Sequence, residues 1–342
     1  MRTTIAARFF ETCSVFLALG FSAQAQILSP GTTPTRLSTG YVFTEGPLYD
    51  RAGGVYFEDM HPSGQVATNP SHIVRYDVAT GIATVVDSSS GGANGDYLDS
   101  HGQVVTADRE RRQISLRSAS NISVVQQALA TAFNGTRFNG PNDLVIDSTG
   151  GIYFSDPDYE NRRSLPDAVY YRNPAGVVSR LLTGFVRPNG VILSPSGTTF
   201  YLAVEGENRI MAYDVTAPGV LANQRQFART DVKPDGTTIP GITNGPDGLT
   251  TDPAGNIYAA VQNAVWAWSP AGQQLFQLAF PEDPTNVEFG DTDGKTLFVT
   301  AGRSLYSTRL NIVPEPASLE LCLIGVGFLA IGRRFRLALR KK

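Results

Sequence analysis

The sequence is poor in several residue types, and each shortage excludes a class of protein. Its 342 residues include only two cysteines, Cys13 and Cys322, so no disulfide or cysteine-ligated zinc can hold the middle of the chain together. Charged residues make up 17% and hydrophobic residues 42%, a balance that excludes an intrinsically disordered chain. No glycine-rich phosphate loop supports nucleotide binding, and the Gly-x-Ser-x-Gly signature of many serine hydrolases is missing.

Glycine and proline are plentiful, with 34 and 21 residues, and this disfavours a helical bundle because both break helices. Residues 26–313 hold 20 basic and 28 acidic residues, a net charge of −8. A negative domain repels a phosphate backbone and is compatible with a bound cation. We therefore expect no nucleic-acid partner.

The first 25 residues have the pattern of a secretory signal peptide. A basic start precedes the short apolar stretch Ser14–Ser22, and Ala23-Gln24-Ala25 then matches the small-x-small cleavage pattern. We expect signal peptidase to cut there, so that the exported chain begins at Gln26. The alternative is a buried first helix.

The last residues, 314–342, read as a second targeting segment. Val313-Pro314-Glu315-Pro316 is followed by the apolar run Leu319–Ile331 and then by an arginine cluster. This order resembles the PEP-CTERM sorting signal of Gram-negative envelope proteins, which implies processing by an exosortase. The run is short for a bilayer span of about 20 residues, but we expect a short transmembrane helix that anchors the chain transiently or, as the alternative, permanently. The core then faces the cell envelope or the extracellular matrix.

A repeat of about 48 residues organises the domain 26–313. Six segments each run from a polar residue through a short apolar strand and a glycine turn into a second β-rich strand. The turn glycines are Gly53, Gly102, Gly150, Gly197, Gly255 and Gly294. Six such units predict an all-β fold, a six-bladed β-propeller with four-stranded antiparallel blades around a central channel. A β-sandwich would not repeat its turn six times, and β-helix repeats are much shorter.

One position recurs eight residues before each turn glycine. It holds Glu45, Asn94, Asn142, Asn189, Asp247 and Asn286, all with side-chain oxygens. Equivalent positions of a propeller lie at one height around the axis, so these six side chains, here called the register residues, should form a ring at the channel mouth. Such oxygens suit a hard cation such as Ca²⁺. The alternative is that Asn and Asp stand at strand starts because they bond local backbone groups.

The motifs around these residues resemble the regucalcin/gluconolactonase family, also called the senescence-marker-protein family, over roughly residues 40–310. The most specific are Glu45-Gly46-Pro47, Arg137-Phe138-Asn139-Gly140-Pro141-Asn142-Asp143, Pro188-Asn189-Gly190 and Pro246-Asp247-Gly248. Tyr153-Phe154-Ser155-Asp156-Pro157 and Pro284-Thr285-Asn286 are similar to the family's strand ends. Their order and equal spacing from the turns make the resemblance specific.

The resemblance implies a divalent cation, usually Ca²⁺ with Zn²⁺ or Mg²⁺ as alternatives, on Glu45, Asn142, Asn189 and Asp247. It also implies hydrolysis of lactones such as sugar lactones, or of related esters. The metal would polarise the carbonyl, and Asp247 would activate water as a general base, with direct nucleophilic attack as the alternative.

Substrate contacts are assigned to Asn94, Arg137 and Asn286. Arg109 departs from the family, because relatives often carry a histidine in this part of the second blade. The three histidines of the chain show no metal-ligand spacing, and we assign them no catalytic role.

Two other functions stay open at this point. One is a metal-dependent phosphotriesterase, since the same polarisation would act on a phosphoryl bond. The other is a non-catalytic surface propeller that binds glycan or protein. We expect a monomer that acts on a small molecule.

Overall fold

The computed structural model describes residues 27–61, 70–118, 120–233 and 235–312. These ranges contain strands, turns and one 3-10 turn at Glu205–Glu207, and they contain no α-helix. No helix within them is long and apolar enough to cross a membrane. The expected signal peptide and sorting tail lie outside the described residues.

Within these ranges, twenty-six strands form six four-stranded antiparallel sheets and one two-stranded hairpin, which confirms the predicted six-bladed propeller. In chain order the strands are β1 (Thr35–Thr39), β2 (Thr44–Tyr49), β3 (Gly54–Asp59), β4 (His72–Asp77), β5 (Ile82–Asp87), β6 (Ala93–Leu98), β7 (Val104–Asp108), β8 (Gln113–Ser118), β9 (Asn121–Ala130), β10 (Ala132–Phe133), β11 (Thr136–Arg137), β12 (Leu144–Ile146), β13 (Ile152–Asp156), β14 (Ala168–Arg172), β15 (Val178–Thr183), β16 (Pro188–Leu193), β17 (Thr199–Val204), β18 (Arg209–Ala217), β19 (Val220–Arg229), β20 (Leu249–Thr251), β21 (Ile257–Val261), β22 (Ala264–Trp268), β23 (Gln274–Ala279), β24 (Pro284–Gly290), β25 (Thr296–Ala301) and β26 (Ser304–Arg309).

Each blade runs outward from the axis in chain order. Blades 1 to 5 are β2–β5, β6–β9, β12–β15, β16–β19 and β20–β23, and the innermost strand of every blade contacts the innermost strands of both neighbours. Blade 6 joins the two ends of the domain, because β24, β25 and β26 are completed on the outside by β1, with Arg36 opposite Tyr306. This pairing closes the ring without a disulfide and without a sheet edge between first and last blade.

The hydrophobic core is divided among the six interfaces between blades. Each buried cluster takes its residues from two adjacent blades: Phe57 and Phe298 pack between blades 1 and 6, and Tyr153 and Phe200 between blades 3 and 4. The apolar and aromatic residues that alternate along the strands therefore hold blade against blade.

All six predicted turn glycines connect the first and second strands of their blades. Each has a positive φ, from 67° at Gly294 to 88° at Gly53, a conformation that glycine adopts without steric cost. In blade 1 the Asp50 Oδ1 accepts hydrogen bonds from the backbone N–H groups of Ala52 (2.7 Å) and Gly54 (2.8 Å), which fixes the turn locally. Local turn chemistry thus explains why the repeat could be read from sequence.

Candidate metal and active site

The register residues lie at the heads of the six innermost strands, as their equal distance from the turns requires. In blades 1, 2, 4 and 6 the pairing between the innermost strand and its neighbour shifts register at this position. A bulge re-aims a side chain that regular pleating would direct elsewhere, and bulges recur next to active sites. The irregular strand heads thus allow these polar side chains to face the axis.

A cavity of about 320 Å³ lies at this end of the channel. Five of the six register residues line it: Glu45, Asn94, Asn142, Asn189 and Asp247. The wall is completed by polar residues, among them Arg109, Tyr159 and Glu205, and by the apolar side chains of Phe43 and Met60. The cavity has the size of a small-molecule site.

The sixth register residue, Asn286, supports its neighbours from beside the cavity. Its side-chain amide donates a hydrogen bond to Glu45, and its Oδ1 accepts the N–H of Val287 at 2.8 Å. The side chain also covers Gly248, where a Cβ atom would come within 1.9 Å of its Oδ1. Asn286 is therefore placed to orient Glu45.

Arg137, predicted as a substrate contact, does not line this cavity. It lies on β11 with an exposed side chain, and its Nη2 donates to the carbonyl of Arg111 at 2.6 Å. The short β10–β11 hairpin places Arg137 at the surface. The closeness of Arg137 to Asn142 in the sequence did not indicate this position. Arg109 of the second blade supplies a guanidinium at the cavity instead.

A larger cavity of about 770 Å³ lies at the opposite end of the channel. Its lining includes hairpin-turn residues such as Asp147, Gly197 and Asp252, together with the half-buried Glu288. None of the register residues lines it. The smaller cavity is therefore the one that the predicted metal ligands line.

Of the two register carboxyls, Glu45 is buried and Asp247 is half-buried at the cavity, and their environment opposes ionisation. Burial raises the pKa of Glu45 to about 8, and repulsion from Asp143 adds to this. Burial also raises the pKa of Asp247 well above its ordinary value, with further repulsion from Glu45 and Glu205. Two carboxylates side by side in such an environment need a positive partner to be ionised together at neutral pH.

The side-chain amide of Asn189 adds a further oxygen beside the carboxyls of Glu45 and Asp247. Its Nδ2 donates to the Tyr159 hydroxyl at 2.9 Å and to Glu205 Oε2 at 3.4 Å, while the Tyr159 hydroxyl donates to the same Glu205 oxygen. Burial raises the pKa of Tyr159 well above its ordinary value, which keeps its hydroxyl protonated. With the nitrogen of Asn189 occupied, its Oδ1 is buried without a hydrogen-bond partner among the described residues. An unsatisfied amide oxygen beside two carboxyls fits a cation site.

Neither Tyr159 nor Glu205 was among the residues predicted to form this site. Tyr159 comes from blade 3 and contacts Asn189 across the boundary between blades 3 and 4, whereas Glu205 lies in the same blade as Asn189. The histidines showed no metal-ligand spacing in the sequence, yet Asp59, His61 and His72 lie together in the structure. No spacing in the sequence could indicate this cluster, because it forms only when β3 pairs with β4.

We expect the metal-free protein to lose stability as pH rises. Burial raises the pKa of Glu45 and Glu288 to about 8 and that of Asp143 to about 7. The folded chain thus keeps protons that the unfolded chain has released above about pH 5, and stability falls from there to about pH 8. The melting temperature should drop by about 5 °C or more between these pH values, because one pK unit is worth about 1.4 kcal/mol. Calorimetry with a chelator checks this, and a constant or rising melting temperature would contradict it.

Comparison with known proteins agrees with this architecture. Residues 43–303 match the family model described as the SMP-30/Gluconolactonase/LRE-like region, and residues 313–337 match the PEP-CTERM protein-sorting motif. The gluconolactonase of Zymomonas mobilis is 28% identical over 230 residues, which cover 64% of this chain and 63% of that protein. The chain thus spans less than two thirds of the length of the curated relatives it matches.

Two solved structures show the same fold at lower identity. A gluconolactonase from Xanthomonas campestris superposes with a TM-score of 0.71 at 24% identity, covering 84% of this chain and 92% of its own. The calcium-binding protein regucalcin from Agrobacterium tumefaciens superposes with a TM-score of 0.64 at 20% identity, with coverages of 83% and 97%. The resemblance found in the sequence motifs is therefore confirmed for fold and family.

Proposed function

Because the chain belongs to the SMP-30/gluconolactonase/LRE-like family, we propose that it hydrolyses lactones with the help of a divalent cation. The observation that carries the proposal is the convergence of Glu45, Asp247 and the unpartnered Oδ1 of Asn189 in one cavity. Support comes also from relatives named gluconolactonase and lactonohydrolase. The substrate class is a sugar lactone or a related cyclic ester.

Glu45, Asn142, Asn189 and Asp247 would hold the cation, and their all-oxygen chemistry favours Ca²⁺ over softer ions. A bound cation would supply Lewis-acid polarisation of the lactone carbonyl. The Tyr159–Glu205 pair acts on this set indirectly, because it holds the amide of Asn189 with its oxygen free. Such supporting hydrogen bonds orient ligands and contribute to affinity.

We assign the proton transfer to Asp247. As a carboxylate it would accept a proton from water as the water oxygen attacks the carbonyl carbon of the lactone. The ring C–O bond then breaks, and the released alkoxide takes up a proton to give the hydroxy acid. Direct attack by Asp247 is the alternative, and it would leave an acyl-enzyme that water must cleave.

We assign the substrate contacts to Asn94 and Arg109. Asn94 lines the cavity and is 3% exposed. The guanidinium of Arg109 donates through Nη2 to the carbonyl of His61 at 3.1 Å, and its Nη1 lies 3.4 Å from Glu160 Oε1. Glu110 Oε1 also lies 3.4 Å from Arg109 Nη2. The two carboxylates offset the charge of Arg109 and hold its guanidinium in place where relatives often carry a histidine, which suits a substrate with polar groups near the lactone ring.

The direct test is a panel of lactones offered to the chelator-treated protein, followed by titration with Ca²⁺. We expect hydrolysis to appear with Ca²⁺ and to rank the substrates. Turnover that is the same with and without chelator would contradict the metal role. Tight Ca²⁺ binding without turnover of any lactone would contradict the substrate class and favour phosphotriesters or a binding function.

The Glu45→Gln variant should bind Ca²⁺ at least about tenfold more weakly than the wild type, because the site loses one of its two ligand charges. Titration calorimetry measures this directly. Glu207→Gln, which removes a carboxylate on the 3-10 turn outside the cavity lining, is the matched control and should bind like the wild type. Equal affinity in Glu45→Gln would remove Glu45 from the site.

We propose further that the domain works outside the cytoplasm. The match to the PEP-CTERM motif at residues 313–337 supports sorting by an exosortase, and the pattern of residues 1–25 supports export. Intact-mass measurement of protein from the native envelope tests both, because each cleavage removes a defined segment. A mass that includes both ends would contradict the processing.

A further inference from the structure

A second set of metal-ligating side chains lies at the cavity end of blade 1. Asp59 ends β3 and His72 begins β4, and the two residues face each other in the antiparallel pairing. His61 follows Asp59 by two positions, just beyond the end of β3. One ligand atom from each residue lies within 4.8 Å of the others.

The distances leave room for an ion rather than for direct hydrogen bonds. His61 Nε2 and His72 Nδ1 each lie 3.8 Å from the same Oδ2 of Asp59. Ligands bonded at about 2.1 Å to a tetrahedral ion are about 3.4 Å apart, so small side-chain rotations would complete the geometry.

The buried imidazole of His61 is not stabilised by hydrogen bonds within the described residues. It is 5% exposed, and neither of its ring nitrogens has a hydrogen-bond partner there. A buried imidazole without partners costs free energy, and a metal bond would satisfy one nitrogen. Asp59 is already oriented, because its Oδ1 accepts the N–H of Val42 at 2.7 Å and its Oδ2 faces the histidines.

We propose that Asp59, His61 and His72 bind a transition-metal ion such as Zn²⁺. Two imidazoles and one carboxylate suit Zn²⁺, Co²⁺ or Ni²⁺, whereas Ca²⁺ and Mg²⁺ prefer oxygen ligands alone. The site is thus chemically distinct from the oxygen ring around Glu45. The side chain of His72 is 26% exposed and gives the ion a route from solvent.

The position of the site gives it a structural role beside the cavity. Met60, between two of the ligands, lines the cavity, and the carbonyl of His61 accepts the hydrogen bond from Arg109. An ion here would hold the end of β3 to the start of β4. The wall of the cavity on the blade 1 side would then be fixed by metal rather than by packing alone.

The test uses Zn²⁺ and Co²⁺ as probes on the full chain with Cys13 and Cys322, its only thiols, replaced by serine. The chain has three histidines, so ¹⁵N-histidine NMR resolves each imidazole without further substitution. We expect one equivalent of Zn²⁺ to shift the ring signals of His61 and His72. His101, whose side chain is 81% exposed on a hairpin turn, should not shift. A shift of His101 alone, or of none, would overturn the proposal.

Variants give a second, independent readout. His61→Ala and His72→Gln should each weaken Co²⁺ binding by about 100-fold, while His101→Ala should bind like the parent. His72→Gln, at a partly exposed position, keeps the test decisive if His61→Ala does not fold. Unchanged affinity in His72→Gln, or displacement of Co²⁺ by excess Ca²⁺, would overturn the assignment.

Discussion

Replacing Asp247 with asparagine is expected to reduce the turnover of the best lactone by about 10³-fold at saturating Ca²⁺, the scale of a lost general base. Asparagine has nearly the shape of aspartate and keeps one oxygen for a cation, but it cannot take up the proton of the attacking water. The backbone around it should not change, because the N–H of Asp247 donates to Ala260 at 2.9 Å and its carbonyl accepts from Gly190 at 3.2 Å. Initial rates and circular dichroism measure the two effects separately.

Asp214→Asn is the matched control for this experiment. It makes the same chemical change on an exposed carboxylate that pairs with Arg225 at 2.7 Å on the outer strands of blade 4. We expect wild-type turnover from it. A rate within a few-fold of wild type in Asp247→Asn would remove Asp247 from the mechanism, whereas a low rate rescued by more Ca²⁺ would make it a ligand only.

Replacing Gly46 with alanine should destabilise the whole domain by about 4 kcal/mol and lower the melting temperature by about 8 °C. Gly46 has a φ of 50°, and a Cβ atom built on it would lie 1.7 Å from the carbonyl oxygen of Asn94 in the next blade. That contact is with backbone, so blades 1 and 2 would have to separate at the axis. Thermal unfolding in the presence of chelator measures the effect without a contribution from metal binding.

Gly53→Ala separates the steric contact from the backbone conformation. Gly53 also has a positive φ, of 88°, but no described residue has an atom within 4 Å of the position that a Cβ would take. Only the strain of the left-handed region remains, about 1–2 kcal/mol. Equal losses of stability in the two variants would show that crowding between blades does not determine the role of Gly46.

The close approach of adjacent blades at the axis also explains why glycine recurs after the register residues. The residue after the register position is glycine in four blades, at Gly46, Gly95, Gly190 and Gly248. At each of them a Cβ atom would come within 2.5 Å of an atom of the next blade's register residue or its neighbour. The innermost strands approach so closely at the axis that a side chain there would collide with the adjacent blade. The ring of register residues and the ring of glycines are therefore one feature of the channel mouth.

Local interactions made the architecture readable from the sequence. Each turn is closed by its own aspartate or serine and glycine, and each strand carries its own apolar alternation, so the number of blades follows from counting. Equal distances from the turns then put Glu45, Asn142, Asn189 and Asp247 at one height, and all four line the same cavity. The family motifs lie at these positions because the fold and the site share one repeat.

Interactions between distant parts of the chain decided the rest, and no periodicity records them. The Tyr159 hydroxyl donates to Glu205 and accepts from Asn189, and these two hydrogen bonds join blades 3 and 4. The outward turn of β10–β11 moves Arg137 away while Arg109 reaches the cavity. The approach of His61 to His72 depends on the pairing of β3 with β4. A repeat fixes the height and direction of a residue within its own blade, whereas contacts across blades and between strand ends depend on side-chain length and packing.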